Sequence, residues 1–198
     1  MSKNIIMNNK EIKETIYLNF FKMLLRRKII DNEVEYFEKF KGKDSFNFTS
    51  NQKKYGFNLL EGKINSISQN SQIHEYIIKN QDTKIFIIMQ QPVKKSYKQL
   101  TEYYEDVEVF FYHEFMEDVI SKFYIPEHQL LSKEERDKLL KTFDKKNLGK
   151  INLTDRMTRY YNGKLGDVFR IIRPNVNSGY SVYYRIVING NIEHLFSL

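Results

Sequence analysis

Apolar residues recur every four positions near the start of the chain, at Ile12, Ile16, Phe20 and Leu24, with Tyr17, Phe21 and Leu25 widening the stripe. That spacing predicts an amphipathic helix over 11–29. Asn32 is placed to cap a second helix, with Glu35 completing a capping box and Val34, Phe37 and Phe40 forming its apolar side. The period then shortens. Phe46 and Phe48 alternate with polar residues, and Tyr55-Gly56-Phe57-Asn58-Leu59-Leu60 follows a polar turn at Asn51-Gln52-Lys53-Lys54, so two strands are expected. Ser71 to Lys79 reads as a short helix with Ile73, Ile77 and Ile78 on one side. Lys84-Ile85-Phe86-Ile87-Ile88-Met89 is a continuous apolar run of strand length, as suits a central strand covered on both faces. Pro92 ends it, Lys94 to Tyr104 predicts a helix, and Val107 to Tyr112 the next strand. Strand, helix, strand points to a right-handed crossover, so the first part is expected to be a small α/β domain.

Ile125-Pro126 breaks this pattern and sets the expected boundary, giving domains 1–125 and 126–198, because the residue before a proline is pushed out of helical space. Beyond it, Ser132 and Glu135 form a capping box for a helix ending near Phe143, with Leu139, Leu140 and Phe143 facing inward. Lys145 to Lys150 reads as a connection, Thr154 to Tyr161 as a short helix and Asp167 to Arg173 as a strand. Pro174 to Gly179 is a hairpin connection. In the last strand Tyr180, Val182, Tyr184, Ile186 and Ile188 share one face, leaving Ser181, Tyr183, Arg185 and Val187 on the other. The fold class is therefore α/β: an N-terminal α/β domain with a small mixed sheet and a small C-terminal α+β domain.

Composition narrows the chemistry. At 198 residues, 41% hydrophobic and 29% charged, the chain is expected to be globular rather than disordered. No apolar run reaches the ~20 residues of a membrane helix, and Met1-Ser2-Lys3-Asn4 opens onto polar sequence without a secretory leader. With no cysteine there is neither a disulfide framework nor a thiolate metal site. An intracellular protein without cofactor or metal is the expectation. The charge of +7 is concentrated beyond residue 125, where 13 Lys and Arg face 8 Asp and Glu. Such a surplus suits nucleic acid or an acidic protein partner without choosing between them.

Ile125-Pro126-Glu127-His128, Ser132-Lys133-Glu134-Glu135, Lys164-Leu165-Gly166-Asp167-Val168, Arg170-Ile171-Ile172-Arg173-Pro174 and Gly179-Tyr180-Ser181-Val182-Tyr183-Tyr184-Arg185-Ile186-Val187 follow one another in the last third. In that order they resemble the assembly domain of the fifth subunit shared by eukaryotic RNA polymerases I, II and III, a family with an archaeal counterpart. The aromatic, acidic run Glu33-Val34-Glu35-Tyr36-Phe37-Glu38-Lys39-Phe40-Lys41 is similar to the second helix of that family's jaw domain. Thr83 to Pro92, followed by Lys95-Ser96-Tyr97-Lys98-Gln99-Leu100, is similar to its central strand, paired glutamines and Ser-containing helix. There are departures. His113-Glu114-Phe115 is separated from Ile125-Pro126 by extra residues, Asp155-Arg156 replaces Asp-Pro, Gly179-Tyr180 lacks an intervening Arg, and the jaw portion is short. A divergent copy, such as one encoded by a large DNA virus, would show such trimming.

The resemblance implies a noncatalytic subunit of a DNA-directed RNA polymerase, a monomer within a hetero-oligomer, in the nucleus of a cell or in a virion or cytoplasmic viral factory. It would dock on the largest subunit and its neighbours through the C-terminal domain, with the N-terminal domain in the lower jaw near downstream double-stranded DNA. His128, Arg173, Tyr183 and Arg185 are the candidates for the partner interface, since aromatic and Arg side chains are enriched at such surfaces. Arg26, Arg27 and Lys28, with Lys94, Lys95 and the neighbouring Lys98, are candidates for phosphate contacts; the plainer role for the first three is to complement the negative end of their helix. A rival reading is a metal-dependent nuclease on Asp44 and Glu61-Gly62-Lys63, whose carboxylates would hold Mg²⁺. Another is a small basic nucleic-acid-binding protein. His74, His113, His128 and His194 show no metal-ligand spacing.

Overall fold

The computed structural model describes residues 8–91 and 93–196, without the side chain of His194. The readings of Pro92, of the His194 side chain and of the first residues lie outside it. The chain divides into two compact units, Met1–Glu117 and Asp118–Leu198, eight residues ahead of the boundary expected from Pro126. Each carries its own four-stranded mixed sheet, the α/β and α+β classes expected.

In the first unit, helices α1 (Asn9–Arg26) and α2 (Glu33–Phe40) precede β1 (Ser45–Ser50), β2 (Lys53–Leu60), α3 (Gln72–Lys79), β3 (Lys84–Met89), α4 (Lys94–Tyr103), β4 (Val107–Phe111) and α5 (Tyr112–Phe115). Strand order is β1-β2-β3-β4, with β1 antiparallel to β2 and the rest parallel. The hairpin closes through Asn51 and Gln52, both at positive φ (49° and 63°), the two-residue turn that matches strand twist. Beneath α1 the core is aromatic: Phe20 lies 4.8 Å from Phe57 and 5.3 Å from Phe86, and Phe46 stacks 4.6 Å from Phe57 and 4.3 Å from Phe40. On the opposite face, α3 approaches the sheet at Gly56. A Cβ there would lie 2.7 Å from the Tyr76 hydroxyl, which donates to Asn47 Oδ1 at 2.6 Å. Covered from both sides, β3 buries every residue from Ile85 to Met89, as its unbroken apolar run required.

Two helical stripes differ from expectation. Val34 is 58% exposed, and α2 packs instead through Phe40 and Tyr36, the latter 5.5 Å from Phe48. Ile78 is exposed while Ile73 and Ile77 are buried. Asn32 caps α2 without a reciprocal Glu35, accepting from the Val34 and Glu35 amides.

The second unit runs β5 (Glu127–Leu130), α6 (Lys133–Thr142), β6 (Gly149–Asn152), α7 (Arg156–Tyr160), β7 (Val168–Asn175) and β8 (Gly179–Ile188). Its sheet order is β5-β7-β8-β6, with β6 parallel to β8 and the other pairs antiparallel. Ser132 and Glu135 close the expected capping box on α6. Asp155, despite lacking the proline after it, caps α7 by accepting from the Met157 amide at 2.8 Å.

One expectation for this unit is corrected. Phe143 is 50% exposed, because at φ −119° and ψ 131° it has left the helix whose stripe Leu139 and Leu140 continue. The second face of β8 is covered in part by the chain itself. Ile186 packs with Leu131, Leu148 and Val168, while Val187 packs with Ile151, Phe169 and Ile171, so the chain itself covers both faces at this end of the strand. Only the hairpin end emerges.

Candidate interaction surfaces

Beyond the end of β5, which pairs with β7 no further than Ile172, the β7–β8 hairpin projects past its neighbours. Tyr180 is 66% exposed, Tyr183 50% and Val182 41%. The register places Arg173 opposite Ser181, Ile171 opposite both Tyr183 and His128, and Phe169 opposite Arg185. All four partner-interface candidates, His128, Arg173, Tyr183 and Arg185, therefore share one face of the sheet. The Arg173 guanidinium stacks over the Tyr183 ring at 5.3 Å. The half-buried His128 ring lies 6.2 Å from Phe169, with Nδ1 2.7 Å from the Pro126 carbonyl, so an Nδ1–H can donate there. Burial pushes the His128 pKa down; the Pro126 hydrogen bond and Asp155 oppose this, and Arg185 and Arg173 add to it. A neutral ring pinned to the backbone follows. Beside the hairpin runs a groove of about 440 Å³ lined by Phe143, Leu148, Arg173, Val182, Tyr183 and Arg185, among others.

The cationic candidates of the first unit are not equivalent. The Arg27 side chain is 6% exposed, its Nη1 2.9 Å from the Glu108 carboxylate, and its guanidinium lies over Phe86 and Phe110 at 5.7 and 5.8 Å. Lys84 Nζ meets the same carboxylate at 2.7 Å. Burial works against a charged Glu108, yet Arg27 and Lys84 outweigh it and hold the carboxyl below its usual range. Arg27 is thus corrected from phosphate contact to internal counter-ion. The signal was present in β4, where Glu108 interrupts Val107, Val109 and Phe110 and a buried carboxylate demands a cation. Lys28, exposed at φ 57°, closes α1: its amide donates to the Leu25 carbonyl and that of Ile29 to Leu24. Lys94, Lys95 and Lys98 lie exposed on α4, and Arg26 is half-buried at the end of α1.

The nuclease reading finds Asp44 and Glu61 together, but around a lysine. Lys13 Nζ is 2.9 Å from Asp44 and 2.5 Å from Glu61, while Lys63 is exposed in the loop after β2. An ammonium between two carboxylates holds the place a divalent cation would take. The Tyr17 hydroxyl approaches Asp44 at 3.3 Å, and burial raises the Tyr112 phenol to about 12, helped by Glu61. Among the described residues no three His, Cys, Asp or Glu converge as a metal site. His74 hydrogen-bonds the Tyr104 hydroxyl and His113 stacks on Phe111.

Residues 118–187, the segment that builds the projecting hairpin, match the family model described as RNA polymerase Rpb5, C-terminal domain. A DNA-directed RNA polymerase subunit Rpo5 of Thermofilum pendens is 43% identical over 75 residues, 37% of this chain and 94% of that protein. The chain belongs to the RNA polymerase subunit 5 family. Rpo5 of Archaeoglobus fulgidus is 39% identical over 66 residues, 32% of this chain and 87% of that protein. A DNA-directed RNA polymerase subunit 5 of Acanthamoeba polyphaga mimivirus is 30% identical over 136 residues, 68% of this chain. It is covered over 65% of its own length, just under two-thirds. That alignment is longer than the second unit, so likeness to the viral subunit reaches into the first.

Proposed function

We propose that this chain is a noncatalytic subunit of a multisubunit DNA-directed RNA polymerase, and that it docks on the largest subunit through the hairpin end of its second unit. The observation that carries the docking reading is the clustering of Arg173, Tyr183 and Arg185 at an exposed, groove-lined end of the unit that matches the family model. Exposed Tyr and Arg beside a groove are what interface hot spots are built from. The first unit forms part of the lower jaw, with Arg26, Lys28, Lys94 and Lys95 toward the phosphates of downstream DNA. Such contacts add affinity and salt dependence without reading sequence. No step of nucleotide addition passes through this chain. Its place is the nucleus of a cell, or the factory or virion of a virus.

The docking is tested by co-expressing the chain with the polymerase subunits of its own source and measuring retention of the largest subunit. Tyr183→Ala and Arg185→Ala should each weaken retention, by ~2 kcal/mol if the residue is a buried anchor. Unchanged retention in the double variant would remove this face from the interface. For the jaw, Lys28→Gln with Lys95→Gln should flatten the salt dependence of DNA retention by about one released counterion per lost contact. An unchanged slope would refute these phosphate contacts.

A further inference from the structure

The hairpin edge carries more than exposed side chains. The Val187 amide donates to Asp167 O at 2.8 Å, on the β7 side, whereas Ile188 O accepts from the Leu153 amide at 2.8 Å, on the β6 side. Backbone groups alternate along a strand. Odd residues of β8 therefore bond toward β7, and even residues point toward the line of β6. Pro174 agrees: it pairs with Tyr180 in the even register, where its missing N–H costs the hairpin nothing. Yet β6 begins only at Gly149, opposite Arg185. Ahead of it the edge of β8 has no neighbouring strand among the described residues. The Tyr180 carbonyl is taken by Ser178 Oγ at 3.1 Å, leaving the Tyr180 N–H and the N–H and C=O of Val182 directed into the gap.

The groove described above occupies the part of that gap beside Val182; Tyr180 lies outside its lining. It is lined by four successive residues of β8, Val182 to Arg185, and by Arg173 of β7, so it takes in the strand's edge together with the face that carries Tyr183. Asn147, Leu148 and Gly149, where β6 begins, and Phe143 also line it. Its lining includes two guanidinium groups, Arg173 and Arg185, and no carboxylate. A main-chain edge offering donors and an acceptor, with apolar walls and unmatched positive charge, fits an extended acidic peptide.

We infer that the partner docks by strand addition: an extended acidic segment of the polymerase's largest subunit lies along residues 180–184 of β8, in line with β6. This rests on the docking reading and specifies its mode. Main-chain bonds would supply affinity, and the apolar and basic walls would select alternate side chains of the segment.

Val182→Pro separates strand addition from other docking. It deletes an N–H that the chain's own sheet does not use, so the thermal transition should stay close to wild type. Retention of the co-expressed largest subunit should fall roughly tenfold or more, since a main-chain bond is lost and the ring obstructs the incoming strand. Tyr183→Pro, which removes a bond to β7, should unfold the hairpin and so checks the alternation. Should Val182→Pro itself melt early, hydrogen exchange in the wild-type complex decides: the Tyr180 and Val182 amides should become protected on binding. If they exchange as fast as in the free chain while Tyr183→Ala still weakens retention, docking stands and strand addition is overturned. If the wild-type chain retains no largest subunit, the docking reading itself fails, and this inference with it.

Discussion

The two units each carry a four-stranded mixed sheet, but the core of the first and the hairpin end of the second spend aromatic and arginine side chains differently. In the first, Phe20, Phe21, Phe57, Phe86, Phe111 and Phe115 are fully buried or nearly so, and Arg27 is locked against Glu108. In the second, Tyr180, Tyr183 and Phe143 stand exposed, and Arg173 rests on a tyrosine face instead of a carboxylate. Burying an aromatic in its own core stabilises a fold, whereas leaving several at one exposed end does not. The difference marks the first unit as internally satisfied and the second as shaped for an external surface.

The largest effect should come from breaking the internal side of that contrast. Arg27→Gln leaves the Glu108 carboxylate buried with Lys84 alone, and loss of one partner of a buried pair costs about 3–5 kcal/mol. Arg185→Gln, on the outward side, should change stability by less than ~0.5 kcal/mol. Chemical denaturation of both variants checks the pair; equal effects would dissolve the comparison. Next in size, Gly56→Ala forces a Cβ to within 2.7 Å of the Tyr76 hydroxyl and should cost about 1–3 kcal/mol in the same assay.

A pH titration sharpens the contrast from the second unit. The folded pKa of His128 is depressed, chiefly by burial, so the unfolded chain takes up the proton first as pH falls. The stability linked to this neutral ring is present above about pH 6.5 and is lost as pH drops toward the folded value. Denaturation midpoints should therefore fall more steeply below that pH in wild type than in His128→Asn. Parallel curves would refute the linkage. Smallest of all, Lys28→Gly relieves a positive φ at the end of α1 and should stabilise the chain by up to ~1 kcal/mol, seen as a raised melting temperature.

Much of this fold was legible in the periodicities. The strand over Lys84–Met89 matches to the residue, the short helix read over Ser71–Lys79 spans Gln72–Lys79, and the helix capped by Ser132 begins where that residue predicts. Strands β5 and β6 were not legible. Each is four residues at a sheet edge, Glu-His-Gln-Leu and Gly-Lys-Ile-Asn, too short and polar for alternation to show, and only pairing with β7 and β8 defines them. For the candidate surface, the face shared by Tyr183 and Arg185 could be read from period two alone. Joining His128 to it required the register of β5, and the burial of Arg27 required Glu108, 81 residues away. The edge of β8 that has no neighbouring strand among the described residues was hidden for the same reason, since it is defined only by where β6 begins.

The most direct test is affinity capture of the tagged chain from its own source, with the largest polymerase subunit quantified by mass spectrometry. Wild type and Tyr183→Ala/Arg185→Ala would be compared at matched folding. Stoichiometric largest subunit is expected with wild type, and a loss of about tenfold or more with the double variant. A wild-type chain that brings down no large polymerase subunit would contradict it.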